Sequence, residues 1–200
     1  PLSWLERLSQ AIHGEPRDRE ELIDFLRDAQ KRELFNVDAL AMIEGVLQVS
    51  EMQVREIMIP RSQMVVCHRD QNPEELLPIV INSGHSRFPL VGDNRDDVQG
   101  ILLAKDVLRY FAQDNRDEFD MREVIRPAYF VPESKRLDVL LKDFRDNRNH
   151  MAIVVDEYGG VAGLVTIEDV LEQIVGDIDD EHDFGDGTYF LQHDDNQCIV

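Results

Sequence analysis

Two cysteines in 200 residues, Cys67 and Cys198, are too few for a disulfide framework, and they lack the paired spacing of a zinc site. Long apolar runs are missing as well: none approaches the roughly 18–20 residues that a membrane-crossing helix needs. No secretory leader is expected from the opening residues. Basic residues are scarce, 21 against 41 acidic ones, for a net charge of −20. Such a surface repels nucleic-acid phosphates and argues against broad nucleic-acid binding. An anionic ligand must therefore be held by local positive groups, or arrive with a cation such as Mg2+. There is no Walker loop, no dinucleotide fingerprint and no nucleophile elbow, and the six histidines are scattered. No catalytic set is expected, and a reducing, cytoplasmic setting fits best.

What is present describes a globular protein with a proper core: 42% of residues are hydrophobic and 31% charged. Residues 1–50 read as a helical arm. Trp4, Leu5, Leu8 and Ile12 form one apolar stripe that Gly14 and Pro16 end. Asp18 and Glu21 form a capping box for a second helix, and Asn36 starts a third with Val37, Leu40, Ile43 and Leu47 on one face. Such stripes normally pack on the chain's own core or a dimer mate, and less often dock on a different partner.

From Ser50 the chain repeats itself. Val54-Arg-Glu-Ile-Met-Ile-Pro60 is echoed by Met121-Arg-Glu-Val-Ile-Arg-Pro127, and Phe88-Pro-Leu-Val91 by Met151-Ala-Ile-Val154. Val98 to Leu108 is echoed by Val161 to Leu171. Each copy is expected to hold a short capped helix (Ser50 with Gln53; Asp120 with Glu123) and a strand (Met64–Cys67; Tyr129–Val131). A helix follows (from Asn72, kinked or weakened by Pro78; Leu137 to Phe144), then two strands joined by a turn, then a closing helix. The expected class is α+β, with two β-α-β-β-α repeats, 51–117 and 118–178, packed as one module. An acidic linker, 179–187, then leads to 188–200, where Thr188–Leu191 and Gln197–Val200 suggest the hairpin that begins a small β-rich domain.

The most informative stretch is Val161 to Leu171, where Gly163, Thr166 and Asp169 sit at a strand-to-helix junction. A helix start offers unpaired N–H groups and partial positive charge to a phosphate. Thr166 adds a hydroxyl, and Asp169 can accept from ribose hydroxyls. The same spacing also makes a plain capping box. The first repeat keeps Asp106 but has Leu103 where the second has Thr166. Leucine cannot bond a phosphate, so one nucleotide per chain is expected, with Asp106 serving as a helix-start residue. The acidic run Asp177 to Asp186 has ligand density enough for Mg2+, or Co2+ through His182, yet like-charge runs are usually solvated linkers. No metal site is assigned.

Residues about 17 to 185 resemble a pair of CBS domains, and more closely the CorC family, described as magnesium and cobalt efflux proteins. The segments that carry this are Arg55–Ser62, Gly84–Leu90, His150–Gly160, Gly163–Asp169 and Val175–Asp179. The resemblance implies a disc-like, commonly dimeric CBS pair with an adenine nucleotide between the repeats. By position, Thr166 would contact phosphate and Asp169 the ribose. Ile59, Pro60, Arg61, His85, Arg87, Phe88 and Pro89 would line the rest. The side chains suit those roles, since Ile59, Phe88 and Pro89 offer apolar surface to a purine and Arg61 or Arg87 can pair with phosphate. Against this, Arg87 could serve in a surface ion pair, and Phe88 and Pro89 in strand packing.

The resulting expectation is a cytoplasmic module, peripheral to the inner membrane, that binds AMP or ATP, with or without Mg2+. It would regulate magnesium and cobalt transport as a homodimer or beside a membrane transporter. The alternative is an interaction scaffold for a transporter or a cytoplasmic assembly, with a vestigial nucleotide site.

Overall fold

The computed structural model describes residues 16–112 and 119–176. The stripe at Trp4–Ile12, the acidic run and the C-terminal hairpin lie outside them. Helix α1 (Arg19–Lys31) starts at Asp18, whose side chain accepts from Glu21 N–H at 2.9 Å. Glu21 reaches back to Arg17 N–H, one residue beyond the reciprocal box the sequence suggests. Helix α2 (Val37–Val49) is capped by Asn36, as expected. Ser50 closes α2, its hydroxyl donating to Leu47 C=O. It does not open the next helix. The cap there is Gln53, paired with Glu56 on a single 3-10 turn, Val54–Glu56.

The first repeat continues with β1 (Ile59–Pro60), β2 (Cys67–His68), α3 (Pro73–Ser83), β3 (Arg87–Val91), β4 (Val98–Leu103) and α4 (Ala104–Ala112). The second has α5 (Met121–Val124), β5 (Phe130–Pro132), α6 (Leu137–Asn147), β6 (Met151–Val155), β7 (Val161–Thr166) and α7 (Ile167–Val175). Helix α3 runs through Pro78 unbroken. The Asn72/Glu75 capping box and buried Leu76 and Val80 hold it, while exposed Pro78 leaves the carbonyl deprived of its helical donor near water.

Two sheets result, β2-β3-β4 and β1-β7-β6-β5. The second contains a strand of the first repeat: β1 pairs antiparallel with β7, Ile59 opposite Leu164 and Pro60 opposite Gly163. Reciprocally, Arg126, at the head of the second repeat, bridges Ile101 of β4 through bonds of 2.8 and 2.9 Å. Each half thus lends its leading segment to the other's sheet. Two glycines permit it. A Cβ on Gly163 would lie 2.2 Å from Ile59 C=O, and one on Gly100 would lie 2.5 Å from Arg126 C=O.

The sheet register corrects the repeat alignment by one residue. Arg87 opposes Leu103 as Met151 opposes Thr166, so Met151 corresponds to Arg87 rather than Phe88. A slip of one exchanges the two faces of a strand. It also explains why β2 begins later than Met64. Pro89 now corresponds to Ile153, whose N–H donates to Tyr129 C=O; proline has no such donor, and β2 is shorter than β5. Met64 instead turns into the apolar layer between the sheets, with Ile101, Met151, Ile153, Val161 and Leu164.

Separate cores lie under the helices of each repeat, around Phe88, Leu90 and Leu102 in the first and Phe144, Val154 and Val165 in the second. In the described part of the arm, Val49 joins the second core and Gly45 brings α2 against α7, where a Cβ would meet Ile174 C=O at 2.7 Å, while Val37 and Ile43 of the expected stripe stay exposed.

Candidate functional site

Where β7 gives way to α7, Thr166 accepts from Asp169 N–H at 3.2 Å, and Asp169 Oδ2 accepts from Thr166 N–H at 2.6 Å. The Thr166 hydroxyl donates to the same Oδ2 at 2.8 Å. The capping box is real. It does not consume the pair, because both residues are half-buried and line a cavity of about 580 Å3. Both bonds to the Asp169 carboxylate use Oδ2, which leaves Oδ1 outside the box. A hydroxyl can also rotate. If the Thr166 proton turned to a phosphate oxygen, Oδ2 would regain a lone pair for a ribose hydroxyl, while the Thr166 oxygen could still accept from Asp169 N–H.

The rest of the cavity comes largely from the first repeat. Exchange of β1 sets Ile59 beside Leu164, the loop after the left-handed Gly84 cap brings His85 and Ser86, and the head of β3 brings Arg87. Met64, Val65 and Met151 add apolar wall; Gln63 and Glu168 add polar edge. Of the nine residues expected from the sequence, Ile59, His85, Arg87, Thr166 and Asp169 therefore meet at one cavity.

The other four lie elsewhere. Pro60 is spent on the strand pair with Gly163. Arg61 pairs with Asp96 at 2.7 Å, and its carbonyl accepts from Arg95. Phe88 is wholly buried in the first core, and Pro89 is buried on the opposite face of β3, across from Ile101. The ion pair considered for Arg87 belongs to Arg61; among the described residues Arg87 has no carboxylate partner. Met64, Val65, Ser86, Met151 and Leu164 were not singled out. Alternation along β6 and β7 in the corrected register would have found Met151 and Leu164.

The equivalent place in the first repeat is closed from within. Asp106, 3% exposed, pairs with Arg126 at 3.1 Å and Arg109 at 3.0 Å. Arg126 stands where the second site has Ile59, as its bridge to Ile101 shows. Leu103 already lacks the hydroxyl, and the guanidinium now holds the carboxylate. Asp106 is thus a structural anchor at the start of α4, consistent with the sequence reading.

Among the described residues no group of three or more His, Cys, Asp or Glu could hold a metal ion. None of their helices is long and apolar enough to cross a membrane.

Comparison with known proteins agrees with the duplicated fold. The CBS domain model matches residues 54–113 and 121–176, and a model described as the N-terminal region of NMB0537 matches 14–49. The chain is 57% identical over 181 residues to the magnesium and cobalt efflux protein CorC of Vibrio cholerae, covering 90% of this chain and 62% of that one. It therefore spans about three-fifths of that relative's length. The CBS domain of a bacterial CNNM/CorC family Mg2+ transporter in complex with ATP is similar at 43% identity and TM-score 0.64, covering 68% of this chain and 96% of that one. A CBS-domain pair with bound AMP from Klebsiella pneumoniae is similar at 33% identity and TM-score 0.56, covering 63% of this chain and all of that one.

Proposed function

Because the chain belongs to the CorC family of tandem CBS-domain proteins, we propose that it is a regulatory, non-catalytic module that senses an adenine nucleotide in magnesium and cobalt homeostasis. The observation that carries this is the half-buried Thr166/Asp169 pair, on the second repeat, facing Ile59 and Arg87 from the first across one cavity. A purine can lie on the apolar wall of Ile59, Met64, Val65 and Met151, with ribose at Asp169 and phosphate between Thr166 and Arg87. Any Mg2+ would come with the phosphates, whose oxygens suit a hard cation.

A ligand that bridges both repeats binds best in one arrangement of them, and so shifts their equilibrium toward it. Helix α2, packed on α7 directly behind the site, is the element we expect to pass that shift on, on the cytoplasmic side, to a transporter or a second copy. Calorimetric titration with AMP and with ATP, with and without Mg2+, tests the reading. One nucleotide per chain is expected; no heat with either nucleotide would refute it.

A further inference from the structure

A second cavity, of about 410 Å3, adjoins the first and shares Ser86 and Arg87 with it. Its other walls are Leu103, Ala104, Lys105 and Leu108, from the end of β4 and the start of α4. Ala104 N–H donates to Ser86 C=O at 3.0 Å, which ties this helix start to the residue just ahead of Arg87 at the head of β3. Neither Arg87 nor Lys105 has a carboxylate within ion-pair distance among the described residues, in a chain where acids outnumber bases 41 to 21. Two unpaired cations sharing one hollow are a demand for negative charge from outside the chain.

Opposite charge lines the first cavity, where Glu168 and Asp169 stand near Thr166, the residue proposed to hold a nucleotide's first phosphate. Further phosphates are repelled from that side and drawn toward Arg87. The repeats differ in this respect: Lys105 stands in the first at the position Glu168 holds in the second, each just ahead of the aspartate. The start of α4 adds the partial positive charge of a nine-residue helix.

Building on the adenine-nucleotide reading of the first cavity, we propose that the second cavity receives the terminal phosphates of a nucleoside triphosphate, and that Lys105 sets the preference for triphosphate over monophosphate. Arg87, shared by both cavities, contacts either ligand; Lys105 lines only the second.

The test is calorimetric titration of the whole chain, at fixed Mg2+ and ionic strength, with AMP and with ATP, for the wild type, Lys105→Gln, Lys105→Glu and Lys105→Arg. The wild type is expected to bind ATP more tightly than AMP. Lys105→Gln should weaken ATP binding about tenfold, the order of one charge-assisted contact, and Lys105→Glu more. Both should leave AMP within about twofold, and Lys105→Arg should keep the ATP preference. Lys105 is exposed, so the variants should fold, and unchanged AMP binding confirms it in the same experiment. Equal losses for both nucleotides, or ATP binding indifferent to Lys105→Glu, overturn the assignment while leaving the first site intact. Absence of AMP and ATP binding by the wild type overturns the first site as well.

Discussion

The guanidinium of Arg126 lies 3.1 Å from the buried carboxylate of Asp106, where the second repeat has Ile59 near Asp169. In the first repeat, the place that matches Ile59 is taken by a guanidinium from the second repeat, which engages the carboxylate. Restoring the missing hydroxyl by Leu103→Thr should therefore not raise the nucleotide stoichiometry, because the carboxylate stays engaged. Titration of this variant should still give one equivalent per chain.

The same pair contributes stability. Asp106→Ala strips the partner from two guanidiniums that are each about half exposed, so water can recover part of the loss. A destabilisation of about 2 kcal/mol is expected, below the range for fully buried pairs. Urea unfolding would measure it.

Thr166 has two tasks that substitution can separate. Thr166→Ile loses the α7 cap, about 1 kcal/mol, and should weaken nucleotide binding tenfold or more. Thr166→Ser keeps the hydroxyl and should nearly restore both. If the isoleucine variant binds nucleotide like the wild type, Thr166 only caps a helix. Paired calorimetry and thermal unfolding distinguish these outcomes.

Gly163→Ala and Gly100→Ala should each destabilise by about 2–4 kcal/mol, since a methyl group at 2.2 Å or 2.5 Å from a backbone carbonyl forces the crossing strand away. Gly84→Ala meets open space and carries only the strain of φ +68°, about 1 kcal/mol. Equal effects at all three would contradict the strand exchange.

Asp143 is held below its ordinary 3.8 by hydrogen bonds from Lys135 and the Tyr129 hydroxyl. A carboxylate with a depressed folded value stabilises the fold above pH 4 and loses that contribution as pH falls through the folded value. Desolvation lowers the Lys135 value, but bonds to Asp143 and Tyr129 outweigh it and leave it raised above 10.5, so its contribution fades only in strong alkali. Asp143→Asn should be less stable than wild type at pH 7, and the gap should narrow toward pH 3. Urea midpoints at the two pH values provide the comparison.

Much of this was legible in the sequence. The duplicated pattern, the caps at Asp18, Asn36 and Asn72, and the Thr166/Asp169 junction are local signals, and local chemistry decided them. Phe88 and Pro89 were expected at the site from the family resemblance alone; separately, aligning the copies by residue similarity set Phe88 against Met151. Backbone pairing moved that match by one, carrying Phe88 into the core and Arg87 to the cavity wall. The exchange of β1 was invisible for another reason. Two residues have no period, and which sheet they join depends on contacts about a hundred residues away. The closing of the first site by Arg126 follows from that exchange and was hidden with it.

Interchange of leading segments also bears on how such a chain can be divided. A lone half would present a vacant sheet edge and a segment with no sheet to join, a combination prone to pairing with any copy of itself. Two halves made as separate polypeptides would satisfy one another, so a break in the 113–118 connection should yield fragments that recombine rather than independent folding units.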